Sequence, residues 1–362
     1  MTERPDEARY WVGFSQAKYI GPTRIARLRE RFGDLATAWA APVHELRAVL
    51  DERALKGVLD ARRDLDLDRE MARYERLGVR VLTLSDDGYP RLLREIPAPP
   101  PVLYVNGGLL DGDDRAVGIV GTRRFTPYGR EVTAMLSGDL AAGGVTIVSG
   151  LARGIDGVAH QAALQAGGRT IAVLGSGPDV VYPPEHRNLA ERIAEQGALV
   201  SEYPPGRQPD AQNFPARNRI ISGLSLGVIV IEAPERSGAL ITADFAADQG
   251  RDVFVVPGSV LSAASAGTNR LLRDGARPVR SAADVLEDLG LDAAPDAAPV
   301  QQELPLGDAE RRLLAVLTRE PQHIDEVAAL ADLPIHEASA YLTMLELHGA
   351  VRNAGSLHYA RR

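Results

Sequence analysis

Residues 116–160 read AVGIVGTRRFTPYGREVTAMLSGDLAAGGVTIVSGLARGIDGVAH. Ala116–Val120 is a short apolar run of mostly branched side chains stopped by Gly121, which predicts a buried strand. Thr122, Arg123 and Arg124 follow. Pro127 then opens a segment in which Val132, Met135, Leu136 and Leu140 recur at helical spacing. Gly143 and Gly144 end that helix, and 145–148 predicts a second strand. Ser149 and Gly150 open a second glycine-bearing turn, through Arg153, Gly154 and Asp156, with a helix from about Gly157. Two successive strand–turn–helix units predict an α/β fold with a doubly wound, Rossmann-like parallel sheet. Ligands bind such sheets at the carboxyl ends of the strands, where helix N-termini favour anions.

The arginines sharpen that reading. Arg123 and Arg124 follow the first strand and Arg153 lies in the turn after the second, all on the rim where an anionic backbone would lie. One such residue could equally be a solvated loop charge. Two turns in register point to phosphate binding.

Further segments follow in order: GIVGTRR, SGLARGID, AVLGSGPDVVYPPEHR, NFPARNRIISGLSLGVIVIEA, RSGALITADFA and VPGSVLSAASAGTNRLLRDGA. Together, over roughly 86–276, they resemble the DprA/Smf family of DNA-processing proteins. The resemblance implies a non-catalytic, single-stranded DNA-binding mediator that protects incoming strands and loads the RecA recombinase during natural transformation and repair. It also implies a homodimer through the later part of the sheet domain, near 268–284, with the recombinase contact overlapping it. Composition and spacing alone stop at a Rossmann-like, anion-binding protein.

Bulk composition sets limits. At 362 residues the chain is long enough for two or three domains. It has no cysteine, hence no disulfide framework, zinc ribbon or thiol nucleophile. No apolar run approaches the ~20 residues of a membrane span. The opening MTERPDEARYW lacks a signal-peptide core, which predicts a cytoplasmic protein. A net charge of -8 means that DNA binding must come from a local patch. The cations are almost all arginine, Lys18 and Lys56 being the exceptions. Arginine supplies planar donors suited to phosphates and bases.

Four parts are expected: a helical domain at 1–68, a Rossmann-like domain at 69–288, a linker at 289–305 and a winged helix at 306–362. The first contains Ile20-Gly21-Pro22-Thr23-Arg24-Ile25, which resembles a helix-hairpin-helix turn, and reads as helical and independent of the sheet. Strands are expected at 79–84 and, at the sheet edge, at 102–105, with a connector through 89–101 between them whose proline run, 97–101, is extended and stiff. Further strands are expected at 170–174, 198–201, 228–232 and 253–256, and the run Asn213–Arg219 is expected as a loop before a short helix. In the last part, three helices and a hairpin wing are expected. Its third helix, HEASAYLTMLEL, has no Lys or Arg, which favours a protein-docking or vestigial role over groove reading.

Sequence-tolerant binding of single strands needs a positive groove with aromatic faces. The candidate DNA-binding residues are Gly121, Thr122, Arg123, Arg124, Gly150, Arg153, Gly154, Phe214, Arg217, Asn218, Arg219, Ser237, Gly238 and Thr242. Phe214 is the expected stacking face, with core anchoring of a long loop as the alternative. No P-loop is present, since neither lysine falls in the sheet, which argues against ATP hydrolysis. Asp156, His160, Glu202 and Glu232 lack an evident nucleophile or metal partner. Asp156 reads as a helix N-cap and His160 as a packed helix residue, so no catalytic residue, cofactor or metal is expected. Two rivals remain. One is a nucleotide-binding, phosphoribohydrolase-like enzyme, for which PERSGALIT lacks the paired glycines of the phosphate loop. The other is a winged-helix regulator of duplex DNA.

Overall fold

The computed structural model describes residues 7–292, 307–318, 320–347 and 350–361. The chain falls into two compact units, Met1–Ala297 and Ala298–Arg362.

The first unit starts with six helices: α1 (Ala8–Gln16), α2 (Pro22–Phe32), α3 (Leu35–Ala40), α4 (Val43–Arg47), α5 (Glu52–Asp64) and α6 (Leu67–Arg76). Asp34, Asp51 and Asp66 cap α3, α5 and α6 by accepting from backbone amides of their first turns. The sheet elements follow: β1 (Val79–Thr83), α7 (Arg91–Arg94), β2 (Val102–Gly107), β3 (Ala116–Val120), α8 (Pro127–Ala142), β4 (Thr146–Ser149), α9 (Ile155–Gln165) and β5 (Thr170–Val173). Next come α10 (Arg187–Gln196), β6 (Ala198–Ser201), α11 (Asn213–Gly223), β7 (Gly227–Val230), α12 (Gly238–Asp248) and β8 (Asp252–Val255). The unit closes with α13 (Ala266–Arg273), β9 (Arg277–Pro278) and α14 (Ala282–Asp288).

The strand order is β1-β2-β6-β5-β4-β3-β7-β8-β9. Pairings from β6 to β9 are parallel, while β1–β2 and β2–β6 are antiparallel. The doubly wound α/β fold is therefore present, in a parallel-dominated mixed sheet. The chain winds outward from β3 to β6, then returns to pair β7 against the other side of β3. That reversal is the topological switch point, where such sheets open a crevice.

β3 is buried at every position, as a parallel strand covered on both faces must be. Its residues alternate between two cores. Ala116 and Val120 join Ile220, Ala239 and Ala243 on one face, and Val117 and Ile119 join Leu136, Leu140 and Ala159 on the other.

Two expectations need correction here. β2 is not at the sheet edge: it pairs with both β1 and β6. The connector between β1 and β2 also contains a helical turn, α7, ahead of the proline run, and its Leu92 and Leu93 are buried. The N-terminal helices are not independent of the sheet, because Trp11, Phe14, Leu28 and Leu55 share one core with Tyr74, Val79, Val102 and Tyr104. A module this small buries its apolar faces by borrowing the outer strands.

The second unit contains α15 (Asp308–Val316), β10 (Gln322–His323), α16 (Ile324–Leu330), α17 (Ile335–Leu347), β11 (Val351–Gly355) and β12 (His358–Arg361). Its sheet order is β10-β12-β11, and Leu313, Val327, Leu342, Leu345 and Val351 form its core. This is a winged helix, with one short strand beyond the expected hairpin. Of the expected linker, positions 293–305 lie outside the described residues.

Candidate nucleic-acid interface

The turn after β3 is tied to its neighbour at the switch point. Thr122 N donates to Glu232 O at 2.7 Å. Thr126 caps α8 through its hydroxyl, which accepts from Gly129 N at 3.1 Å, and Pro127 fills the first helical position. The Glu232 carboxylate in turn accepts from Thr126 N at 2.9 Å and from Thr126 Oγ1 at 2.5 Å. Glu232 is only 2% exposed. The switch-point crevice thus contains a fixed carboxylate. Above it, Arg123 and Arg124 are exposed, and among the described residues neither guanidinium has a hydrogen-bond or ion-pair partner.

The turn after β4 packs directly on this one. Gly154 has φ +94°, and a Cβ there would lie 2.3 Å from Thr122 O and 2.6 Å from Arg123 Cα. A Cβ on Gly121 would lie 2.6 Å from Ile155 Cγ1. These glycines let two turns touch. Leu151, buried, has φ +55°, a conformation that costs a bulky residue energy and needs support from its surroundings.

Asp156 is not the N-cap of α9. That position is Gly154, and Asp156 lies in the first turn, its carboxylate accepting from Ala152 N at 3.3 Å. The φ of Gly154 places the cap at a residue with no side chain, so the acid further along closes the turn instead. Burial pushes the Asp156 carboxyl up, against the opposing pull of the Arg217 guanidinium and of the turn amides. Arg153 is exposed and pairs with Glu185 at 2.5 Å.

The run Asn213–Arg219 is not a loop before a helix: it forms the first two turns of α11. Buried Asn213 and Arg217 bind strand-end carbonyls from within the helix, which fixes it on the sheet. Asn213 Nδ2 donates to Gly175 O at 3.0 Å. Arg217 Nη1 donates to Gly150 O at 2.6 Å and to Val173 O. Arg217 is 4% exposed, and burial lowers its guanidinium to about 10, with Asp156 opposing.

Phe214 is half-buried, its ring centroid 5.7 Å from that of Tyr182. A Cβ on Gly175 would lie 3.0 Å from Phe214 Cδ1. Asn218 Nδ2 donates to Gly238 O at 3.3 Å. Arg219 makes a forked pair with Glu202 at 2.9 and 2.7 Å. Ser237 caps α12, Gly238 is exposed, and Thr242 is 1% exposed.

The sequence-derived residues therefore divide. Arg123, Arg124, Arg153, Phe214, Ser237 and Gly238 reach solvent on turns and helix starts that follow the parallel strands. Gly121, Gly150 and Gly154 shape the turns. Arg217, Thr122 and Thr242 are buried, and Arg219 is held by Glu202. Sequence reasoning missed Tyr182, an exposed aromatic beside Phe214 that precedes two prolines and read only as the lead-in to a helix. It also left Glu202 and Glu232 as unassigned acids, whereas both are partners that position other groups.

His160 is packed inside, as expected: Nδ1 lies 2.6 Å from Thr170 Oγ1, and burial holds the ring down to about 3. In the N-terminal hairpin, Gly21 and Pro22 start α2, and Arg24 pairs with Asp51 at 2.5 Å. On the winged helix, α17 exposes Ile335 and Met344 and carries no Lys or Arg.

The fold defines a Rossmann-like α/β protein whose chain continues into a winged helix. The family described as DNA recombination-mediator protein A matches residues 80–290, and the DprA winged helix domain matches 292–355. The chain belongs to the DprA/Smf family. It is 39% identical to Protein Smf of Synechocystis over 98% of this chain and 99% of that one. It is 45% identical to DNA processing protein DprA of Bacillus subtilis over 62% of this chain and 75% of that one. Among solved structures, DNA processing protein A of Streptococcus pneumoniae superposes with a TM-score of 0.68 at 35% identity, covering 80% of this chain and 99% of that one. DNA processing protein A of Helicobacter pylori, described for its single-stranded DNA binding mode, gives 0.52 at 33% identity, covering 58% of this chain and 95% of that one.

Proposed function

We propose that this protein binds single-stranded DNA across the carboxyl-end rim of its sheet and delivers it to the RecA recombinase, as a cytoplasmic, non-catalytic mediator of transformation and repair. The observation that carries the reading is the adjacent pair Arg123 and Arg124, exposed and without internal partners, on a turn braced from below by Glu232. Guanidinium groups left unpaired on a fixed turn are suited to phosphates. Phe214 supplies a ring to which bases of any sequence can stack. The Helicobacter pylori relative's single-stranded DNA binding supports the same reading. A homodimer through 268–284 would present two such rims, and the recombinase contact would overlap that segment.

The phosphoribohydrolase alternative is less well supported. Buried Glu232 places a carboxylate at the switch point, where an enzyme of that kind would offer donors to a phosphate. The duplex-regulator alternative meets α17, which has no cation to place in a groove.

The test is a titration of fluorescent oligo-dT with the Arg123→Ala and Arg124→Ala variants. The reading expects each to bind more weakly and with less dependence on salt. Unchanged affinity in both would overturn it.

A further inference from the structure

Arg217 belongs to the positive residues of the rim by sequence, yet its guanidinium is inside the protein. It is 4% exposed and directed at two carbonyl oxygens, Gly150 O at 2.6 Å and Val173 O. Those carbonyls stand at the carboxyl ends of two adjacent strands, where the ladder has run out of partners. A buried carbonyl without a donor is costly, and the two hydrogens of Arg217 Nη1 serve both.

The fit is tight from the other side as well. A Cβ at Gly150 would lie 2.4 Å from Arg217 Nη1, so the glycine leaves the room that the guanidinium takes. Buried Asp156, in the first turn of α9, supplies the opposing charge. Three residues before Arg217 on the same helix is Phe214, one turn away and on the same face, with its ring centroid 6.0 Å from Arg217 Cζ. Asn213, at the start of that helix, binds a third strand-end carbonyl, Gly175 O.

We infer that Arg217 is a positioning residue and not a phosphate ligand: its guanidinium locks the Gly150–Gly154 turn to helix α11 and so fixes the phosphate-facing turn and the Phe214 ring relative to each other. This rests on the proposed binding of single strands at the rim. The guanidinium links two contacts of different chemistry, backbone phosphate and base, which must meet consecutive nucleotides together.

The experiment uses the full chain with fluorescent oligo-dT at several salt concentrations. The variants are Arg217→Lys, Gly150→Ala and, as references, Arg123→Ala and Phe214→Ala. A side chain that neutralises a phosphate contributes about 0.7 to the slope of log affinity against log salt for single strands. Arg123→Ala is expected to lower the slope by about that amount. Arg217→Lys, which keeps the charge but ends one bond short of the Nη1 position that reaches both carbonyls, is expected to weaken binding roughly tenfold with the slope unchanged. Gly150→Ala, which presses on the guanidinium from the turn side, is expected to do the same, and it serves if Arg217→Lys fails to fold.

A general loss of stability would be additive with Phe214→Ala. Action through the ring would not: adding Phe214→Ala to Arg217→Lys or to Gly150→Ala is expected to cost far less than in the parent chain. Full affinity in both variants, or additivity with Phe214→Ala, would each overturn the inference. Failure of Arg123→Ala and Phe214→Ala to weaken binding would instead remove the proposed rim itself.

Discussion

Glu232, two residues beyond β7, holds both the amide and the hydroxyl of Thr126, at 2.9 and 2.5 Å. Thr126 is itself the cap of α8. One buried acid therefore fixes the start of a helix and, with it, the turn that carries Arg123 and Arg124. Charge-assisted bonds of this kind are the stronger ones. Glu232→Gln keeps the shape but removes the charge and leaves one neutral acceptor oxygen where two charged ones held the amide and the hydroxyl. It is expected to cost about 1–3 kcal/mol, read in urea denaturation with an unchanged slope against denaturant. A loss below the error of the measurement would show that the turn stands without it.

Gly154 joins the two turns, with φ +94° and no room for a Cβ against Thr122 O. Gly154→Ala meets both backbone strain and overlap, so about 2 kcal/mol or more of destabilisation is expected. Because Arg123 Cα is the next atom in the way, affinity for oligo-dT is expected to fall as well. Thermal melting and anisotropy on the same preparation check both.

Arg219 and Arg123 are expected to behave differently, although the sequence groups them together. The forked pair of Arg219 with Glu202 leaves both side chains only 17% exposed. Arg219→Ala strands that carboxylate, and about 1–2 kcal/mol of stability is expected to go with it. Arg123→Ala, at the surface, is expected to change stability by no more than about 0.5 kcal/mol. Melting curves of the two variants decide the matter: equal shifts would contradict the assignment of Arg219 to an internal pair.

His160 sets a pH dependence. Its ring is held to about 3 in the folded chain, against 6.5 for the free side chain. Between those values the unfolded chain binds a proton that the folded one does not, so stability is full above about 6.5 and falls as the pH drops toward 3. At pH 5 the loss relative to neutral pH is expected to be about 2 kcal/mol. Comparing the parent with His160→Gln at pH 7 and pH 5 isolates it, since other titrating groups cancel. The variant is expected to lose less on acidification, and equal losses would contradict the assignment.

The alternation of strand, glycine turn and helix is legible in the sequence because burial on both faces makes parallel strands continuously apolar. The winged helix is legible for a related reason, its spacing of Leu342 and Leu345 and its glycine-marked wing. What the sequence hides is direction. Arg123 and Arg217 are the same residue type, and nothing local says that one meets water and the other Gly150 O. That difference depends on α11 folding back over the ends of β4 and β5, a contact between residues 67 apart. The internal place of β2 is hidden in the same way, because its antiparallel pairing with β6 brings Tyr104 against Ser201, far along the chain, and nothing in the strand itself marks it. Tyr182 and Phe214, 32 positions apart, meet only once both turns are built.

The central claim is that the rim prefers single strands, and a competition measurement reaches it most directly. Labelled single-stranded DNA bound to the full chain is challenged with equal amounts of unlabelled single-stranded or duplex DNA at two salt concentrations. The account predicts displacement by single strands far more than by duplex, with affinity falling steeply as salt rises. Equal displacement by duplex, or no binding at either salt concentration, would contradict it.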